Sequence, residues 1–173
     1  VIVLEGAGEA AFVSGADISQ FESVRIDPDA RRRYDDAVDA AYAAPLACGK
    51  PVLAKIRGIC MGGGLGLAAA CDIRICADDA RFRMPAGRLG TGYTLDGVRR
   101  FVALIGAQST LDIFFTARIF GAQDALRMGF VGKVAPPERL EDEVMQWSAQ
   151  VADSAPLTLR AAKLAVNALL EPA

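Results

Sequence analysis

Two glycine-bearing loops hold the residue types that could do chemistry in this sequence. The first is the run Ala11-Phe12-Val13-Ser14-Gly15-Ala16-Asp17-Ile18, and the second covers residues 58–66 with three successive glycines, Gly62 to Gly64. Glycines before a helix let the backbone approach a ligand, and they leave N–H groups free at the positive end of the helix dipole. Such donors bind a phosphate or an oxyanion, although glycine in either loop alone also fits a tight turn needed for packing.

A dinucleotide-binding site is one alternative for the second loop. Residues 64–69, Gly-Leu-Gly-Leu-Ala-Ala, match the pattern G-x-G-x-x-A after a strand. That fingerprint also expects an acidic residue about 20 positions further on, to bind a ribose. Asp78 and Asp79 come too early, and residues 86–89 contain no acid. No Gly-Lys-Ser/Thr follows the triple glycine, so the sequence disfavours a Rossmann-type cofactor protein without removing it.

The absence of histidine limits the side chains available for catalysis. It excludes Ser-His-Asp and Cys-His nucleophiles, His-ligated zinc and His general bases, and leaves Asp, Glu, Lys, Tyr, Cys or the backbone. The four cysteines contain no C-x-x-C pair, so we expect reduced thiols, no metal site and a cytoplasmic location. A formal net charge of -2 and the lack of a long apolar run argue against nucleic acid or a membrane as partner.

The elements that must position these loops alternate along the first half of the chain. Strands are predicted over residues 1–4, 51–56, 72–77 and 80–84, and helices over residues 30–44 and 67–70, with loops over residues 6–15 and 58–66. The second half is mainly helical, with helices predicted over residues 95–105, 107–116, 122–128, 138–153 and 156–170 and an extended piece over residues 130–134. This pattern is typical of an α/β domain whose ligand sites lie where strands pass into helix N-termini.

At 173 residues and 53% hydrophobic composition, the sequence predicts a globular protein with an ample core. We divide it into an α/β core over residues 1–135 and a C-terminal helical segment over residues 136–173. The first residue is not methionine, residues 1–4 already have a buried-strand pattern, and the last segment stops abruptly. We therefore expect the chain to be truncated at both ends.

An ordered set of short motifs extends over nearly the whole chain. They are Ala11-Phe12-x-x-Gly15-Ala16-Asp17-Ile18, Lys50-Pro51-Val52, Gly58-x-x-x-Gly62-Gly63-Gly64-x-Gly66-Leu67-Ala68-x-Ala70-Cys71-Asp72-Ile73, Ala80-Arg81-Phe82, Leu89-Gly90, Thr116-Ala117-Arg118 and Ala125-Leu126-x-Met128-Gly129-Phe130-Val131. In these motifs the chain resembles the enoyl-CoA hydratase/isomerase (crotonase) superfamily. Their order along the chain makes the resemblance far more specific than any one motif.

The resemblance implies an α/β fold, a crotonase-like spiral of β-β-α turns with a mainly helical C-terminal region of the trimerisation type. It also implies a homotrimer or hexamer that acts on an acyl-CoA thioester in fatty acid metabolism, with coenzyme A entering as part of the substrate and no separate cofactor. In relatives, two backbone N–H groups hold the thioester oxygen as it becomes an enolate. Carried over by motif, these donors are Ala16 and Gly63, and the coenzyme A contacts fall on Ser14, Gly15, Ala16, Asp17, Ile18, Gly62 and Gly63.

The chain departs from the hydratase pattern at two positions. The paired glutamates that add water across the double bond in hydratases are replaced here by Gly66 and Ala86. A positioned acid or base contributes typically about 10²- to 10⁴-fold, so we expect a reaction other than standard hydration. Asp96, near a predicted helix start, is the first candidate for a replacement acid or base and Tyr93 the second, although an acid at that point also fits a capping role.

Three hypotheses about function follow from these residues. The first is an acyl-CoA lyase or isomerase that relies on the backbone oxyanion hole and a residue other than glutamate, for isomerisation, decarboxylation or thioester cleavage. The second is a non-catalytic acyl-CoA-binding homologue, which the loss of both glutamates favours. The third is the Rossmann-type dinucleotide-binding protein considered above.

Overall fold

The computed structural model describes residues 1–17 and 27–170 of the chain. In these two ranges the strands are β1 (Ile2–Leu4), β2 (Ala11–Val13), β3 (Val52–Ile56), β4 (Ile59–Met61), β5 (Ile73–Ala77), β6 (Arg81–Arg83), β7 (Ile119–Gly121) and β8 (Lys133–Ala135). The helices are α1 (Pro28–Ala47), α2 (Gly63–Ala70), α3 (Ala86–Leu89), α4 (Leu95–Thr116), α5 (Ala122–Arg127), α6 (Leu140–Ala152) and α7 (Pro156–Leu170), with a 3-10 turn over Pro137–Arg139 before α6.

The strands form two four-stranded sheets, and the chain passes back and forth between them. The first sheet has the order β1-β3-β5-β8 and is parallel throughout. The second has the order β2-β4-β6-β7, in which only β7 runs antiparallel to its neighbour. In β3-β4-α2 and again in β5-β6-α3, a strand of the first sheet leads to a strand of the second and then to a helix. The expected spiral of β-β-α turns is confirmed.

The second sheet is where the prediction from sequence was wrong. Residues 6–15 and 58–66 were predicted as loops, yet they contain β2 and β4, which pair with each other in parallel. Each strand has three residues, too few for a periodic pattern, and Gly58 with φ +62° immediately precedes β4. An ideal Cβ on Gly58 would lie 2.2 Å from the Ala10 carbonyl oxygen, so glycine is needed there for the two chain segments to meet.

Helix α1 continues past the proline that was expected to end it. The Asp27 carboxylate caps the start by accepting the Asp29 N–H at 2.9 Å, and Pro45 lies inside the last turn. A proline so near the C-terminus removes one backbone hydrogen bond and leaves the rest of the helix intact. Pro45 is buried, and the helix closes through the Cys48 N–H on the Ala44 carbonyl at 3.1 Å.

The helices of the second half agree with the prediction, whereas the strand β7 was not predicted. Thr94 caps α4 through its side-chain oxygen, which accepts the Gly97 N–H at 3.2 Å. Gly106, with φ +74°, kinks α4 between the two helices predicted over residues 95–105 and 107–116. Pro156 begins α7 as expected. Within residues 1–17 and 27–170, no helix is both long enough and apolar enough to cross a membrane.

Two apolar clusters fill the space between these elements. The larger surrounds α2, whose Leu65 and Ala68 are fully buried, and it includes the ring of Phe130, which stacks on Phe101 and meets Phe82 edge-on. The smaller lies where α6 covers the first sheet and consists of Ile75, Ala77, Ala135, Leu140 and Val144. Helix α2 is therefore held on its sides by the core, which fixes where its N-terminus points.

Candidate functional site

The two glycine-bearing loops lie side by side in the structure. Both turn through positive φ, +108° at Gly15 and +53° at Gly62. An ideal Cβ on Gly62 would be 4.0 Å from Gly15 Cα and 3.7 Å from the Pro85 ring, and one on Gly15 would be 3.3 Å from the Met61 carbonyl oxygen. The Gly62 N–H also donates to the Arg83 carbonyl at 3.0 Å, which ties the turn to the end of β6.

The triple glycine forms the N-terminus of α2. The first N–H groups to bond back are those of Leu65 and Gly66, both to the Gly62 carbonyl, at 3.0 and 3.2 Å. The N–H groups of Gly63 and Gly64 come before them and donate to no other residue in the described part of the chain, as expected for a helix start. A Cβ on Gly64 would lie 2.2 Å from the Val13 carbonyl oxygen, so this glycine lets α2 approach β2 directly before Ser14.

Two arginines bind the opposite end of α2. Arg74 is buried, and burial lowers its pKa to about 10; its Nη1 donates to the Cys71 carbonyl at 2.7 Å. Arg100 Nε donates to the Ala69 carbonyl at 2.9 Å. Cations at a helix C-terminus complement the negative end of its dipole. Residues 63–70 carry no charge that would offset the α2 dipole. The positive end of this dipole is therefore directed at the glycine loops.

The structure brings together most of the residues predicted for the site. Gly15, Gly62 and Gly63 are neighbours as described, and Ser14, Ala16 and Asp17 continue the same loop on the exposed surface. Ile18 lies outside the described residues. That Ala16 and Gly63 act as the pair of oxyanion donors stays a prediction.

Positions 66 and 86, where glutamates were expected from the hydratase pattern, border the same loops. Ala86 follows Pro85, the residue that contacts Gly62, and is buried at the start of α3. Gly66 lies on the first turn of α2, and a Cβ there would be 2.8 Å from both Cζ and Oη of Tyr42. The space beside Gly66 is therefore filled by a tyrosine from α1.

Tyr42 is the residue that the sequence prediction missed. Most of α1 is exposed, as predicted for a solvated helix, but Tyr42 is half-buried where α1 packs against α2. Its hydroxyl donates to the Gly63 carbonyl at 3.3 Å. Burial raises the pKa of Tyr42, and the nearby Tyr34 and Asp39 raise it further. The available signal was an aromatic residue in an alanine-rich helix, opposite a run of glycines that leaves it room.

The two candidates for a replacement acid or base have different surroundings. Asp96 lies in the first turn of α4 with its side chain 80% exposed, and it binds Arg99 Nη1 at 2.6 Å. Tyr93 packs edge-on against Phe114, with ring centroids 5.2 Å apart. Burial raises the pKa of Tyr93, and electrostatic interaction with Tyr42 and Tyr34 adds to the effect. Tyr93 is thus close enough to Tyr42 to interact with it electrostatically. Asp96 instead forms a surface ion pair in the first turn of α4, where a negative charge complements the helix dipole.

Two surface depressions lie away from the glycine loops. An open one of about 350 Å³ is bordered by Asp78, Arg81 and the β7–α5 junction, and one of about 90 Å³ lies between Cys48, Arg160 and Lys163. Neither is lined by Gly15 or by residues 62–64. In the candidate site Ser14, Ala16 and Asp17 are exposed, whereas Gly15, Gly62 and Gly63 are partly buried.

Comparison with known proteins places this architecture. A family model described as enoyl-CoA hydratase/isomerase matches residues 1–173. The chain is 33% identical over 166 residues to a short-chain-enoyl-CoA hydratase from Clostridium acetobutylicum, covering 96% of this chain and 63% of that protein. It is 32% identical over 167 residues to a crotonyl-CoA hydratase from Syntrophomonas wolfei, covering 96% and 64%.

Solved structures give the same result for the fold. An enoyl-CoA hydratase/carnithine racemase from Magnetospirillum magneticum superposes with a TM-score of 0.92 at 32% identity, over 98% of this chain and 64% of that one. An enoyl-CoA hydratase from Bacillus anthracis superposes with a TM-score of 0.89 at 31% identity, over 95% and 63%. The chain thus spans a little under two thirds of the length of these relatives. The crotonase-like architecture replaces the Rossmann-type alternative, and the chain belongs to the enoyl-CoA hydratase/isomerase family.

Proposed function

We propose that this chain binds an acyl-CoA thioester and stabilises its enolate between the Ala16 and Gly63 N–H groups. One observation supports this above the others: two loops distant in sequence, each with a glycine at positive φ, meet where Gly15 lies against Gly62. Gly63 adds an N–H group at the positive end of α2. Two loops that contribute backbone donors from opposite sides are what an oxyanion hole needs.

The proposed chemistry requires no titrating side chain at the oxygen. As an enolate forms, negative charge develops on the thioester oxygen, and fixed N–H dipoles stabilise it without reorganising. The α2 dipole acts in the same direction, and Arg74 and Arg100 at its far end hold the helix in place. Loss of one such donor typically costs about 10²- to 10³-fold in rate.

The remaining details extend this proposal. Ser14, Gly15, Asp17, Ile18 and Gly62 are the positions through which coenzyme A would be held, as part of the substrate. The reaction is a lyase or isomerase step other than standard hydration, because Gly66 and Ala86 provide no carboxylate. Assembly as a homotrimer or hexamer, a cytoplasmic location and a role in fatty acid metabolism complete the proposal.

A second candidate function is binding of acyl-CoA without turnover. It is favoured by the absence of a carboxylate at positions 66 and 86 and by the engagement of Asp96 with Arg99 on the surface. A protein of this kind would keep the loop geometry and lose the reaction.

The test is incubation with a panel of crotonyl-CoA and dienoyl-CoA thioesters, with binding measured by calorimetry and products by mass spectrometry. We expect binding together with conversion of at least one thioester. Binding without conversion of any would support the second candidate, and absence of binding would refute both.

A matched pair of variants tests the Gly63 donor directly. Gly63→Pro removes the N–H at the first helical position, where proline is tolerated, whereas Gly63→Ala keeps it. We expect the proline variant to lose about 10²- to 10³-fold in turnover and the alanine variant to stay within a few-fold of the original. Circular dichroism confirms that both variants fold, and equal rates in the two would exclude Gly63 as a donor.

A further inference from the structure

Tyr42 occupies the space into which a side chain at position 66 would project. Its Cζ and Oη lie 2.8 Å from an ideal Cβ on Gly66, closer than real Cβ contacts, and its Cε1 lies 3.1 Å away, tighter than most. A glutamate at position 66 would need this volume, and here a phenol fills it. The phenol of Tyr42, on α1, therefore lies where the carboxylate of a glutamate at position 66, on α2, would be.

The Tyr42 hydroxyl is also directed at the residue proposed to hold the thioester oxygen. Oη donates to the Gly63 carbonyl at 3.3 Å and lies 3.3 Å from the position of a Cβ on Gly63. A hydrogen bond of this length is weak, and a hydroxyl can both donate and accept. The phenol oxygen is therefore able to exchange this contact for one with a ligand next to Gly63.

The surroundings of Tyr42 determine its protonation state. Burial is the main cause that raises its pKa above the ordinary value of 10.0, and electrostatic interaction with Tyr34 and then with Asp39 acts in the same direction. At neutral pH the group is a neutral phenol. It acts as a proton donor in most molecules and as a base only in the small ionised fraction, which grows as pH rises.

We propose that Tyr42 is the catalytic group that transfers the proton at the α-carbon of the bound acyl-CoA thioester. In one direction the ionised Tyr42 oxygen takes the α-proton: the C–H bond breaks, an O–H bond forms, and the electron pair moves onto the thioester oxygen as an enolate. In the other direction the Tyr42 O–H returns its proton to the α-carbon and the phenol ionises. The step needs no co-reactant, and it rests on the proposed oxyanion hole at Ala16 and Gly63.

Exchange of the α-protons of butyryl-CoA for deuterium in heavy water measures this step alone, because it needs no net reaction. Mass spectrometry follows the deuterium in the recovered thioester, and calorimetry measures butyryl-CoA binding in parallel. We expect Tyr42→Phe to lose about 10²-fold or more in exchange while binding changes by no more than a few-fold. Tyr34→Phe, an exposed tyrosine two turns earlier on α1, is the matched control, and at pH 7 it should exchange within about twofold of the original rate.

The pH profile separates catalysis from a merely structural role for the ring. Between about pH 7 and pH 9.5 the enzyme-dependent exchange should rise about tenfold per pH unit, because only ionised Tyr42 accepts the proton and its pKa lies above 10.0. Tyr42→Phe should lose this slope. The uncatalysed exchange at each pH is subtracted.

The outcomes distinguish the two levels of the proposal. If butyryl-CoA does not bind, the proposed function fails and this inference with it. If butyryl-CoA binds but the original protein does not exchange, or Tyr42→Phe exchanges as fast as Tyr34→Phe, then Tyr42 has no such role while the acyl-CoA site stands.

Discussion

Replacing Lys163 with methionine tests how the C-terminal helix is fixed to the core. The Lys163 side chain, on α7, is only 8% exposed, and its Nζ donates to Asp72 Oδ2 at 2.7 Å, the Pro45 carbonyl at 2.6 Å and the Lys50 carbonyl at 3.2 Å. Asp72 Oδ2 also accepts the Val52 N–H at 2.8 Å. One ammonium group therefore joins α7 to the end of α1 and to the starts of β3 and β5.

The magnitude follows from what the variant leaves behind. Methionine keeps the apolar stem and removes all three donors, so the Asp72 carboxylate retains a single described hydrogen bond and two carbonyls lose a partner. Removing one member of a buried ion pair costs about 3–5 kcal/mol. The Asp72 side chain is 20% exposed and Lys50 is exposed, so water replaces part of the loss. We expect the free energy of unfolding to fall by about 2–4 kcal/mol.

Urea unfolding followed by far-ultraviolet circular dichroism measures this change. Lys133→Met is the matched control, because the Lys133–Glu143 pair is 3.5 Å apart with the lysine side chain 42% exposed, and we expect a loss below about 1 kcal/mol. A double-mutant cycle with Asp72→Asn should give a coupling of about 1–2 kcal/mol. A Lys163→Met variant as stable as the control, or a cycle without coupling, would refute this account of the buried pair.

Three further predictions concern the site and the core. Gly64→Ala should lower the free energy of unfolding by more than about 2 kcal/mol in urea titrations, because its Cβ would meet the Val13 backbone at 2.2 Å. Gly66→Ala should change it by less than about 1 kcal/mol, since the helix propensity of alanine offsets displacement of a side-chain tip. Equal effects of the two variants would contradict the geometry. Asp96→Asn should leave any acyl-CoA turnover within about threefold, since the carboxylate is exposed and paired with Arg99 on the surface, and a loss of about 10²-fold would instead make it the acid or base. Burial raises the pKa of the Cys71 and Cys76 thiols to about 11 and about 12 from 9.0, so the folded state keeps protons that the unfolded state releases above pH 9. The stability that each thiol contributes is fully present below about pH 9 and declines by about 1.4 kcal/mol per pH unit as pH rises toward the pKa of that thiol in the folded state. Cys76→Ala should therefore show a shallower decline in urea midpoints with pH than the original protein.

Sequence patterns predicted those parts of the fold that depend on local signals. The buried runs that form β3 and β5 are five residues long and bounded by polar or small residues, and Thr94 and Gly106 mark the start and the kink of α4. The strands β2 and β4 were missed because three residues between glycines carry no periodic signal. They are strands because of pairing between segments distant in sequence, which no local pattern indicates.

Part of the candidate site was likewise predicted from local signals and part was not. The glycine loops and the positions of Gly66 and Ala86 were found from motifs and their order. Tyr42 was not, because its exposed helix has the charge pattern of a solvated face, and an aromatic residue among alanines does not by itself indicate contact with α2. The contact arises from how closely α1 and α2 approach, and Gly63 and Gly66 allow that approach by having no side chain.

The shared space of Gly66 and Tyr42 sets the order in which carboxylates could be introduced at positions 66 and 86. Glutamate introduced at position 66 alone meets the phenol ring, so either the tyrosine is expelled or the carboxylate is turned away from the loops. Position 42 has to become small first, and only then does a change at position 66 place an acid beside Gly63. The buried Ala86 would still need its own replacement. Carboxylates at both positions therefore require changes on three different helices, and no single substitution introduces them.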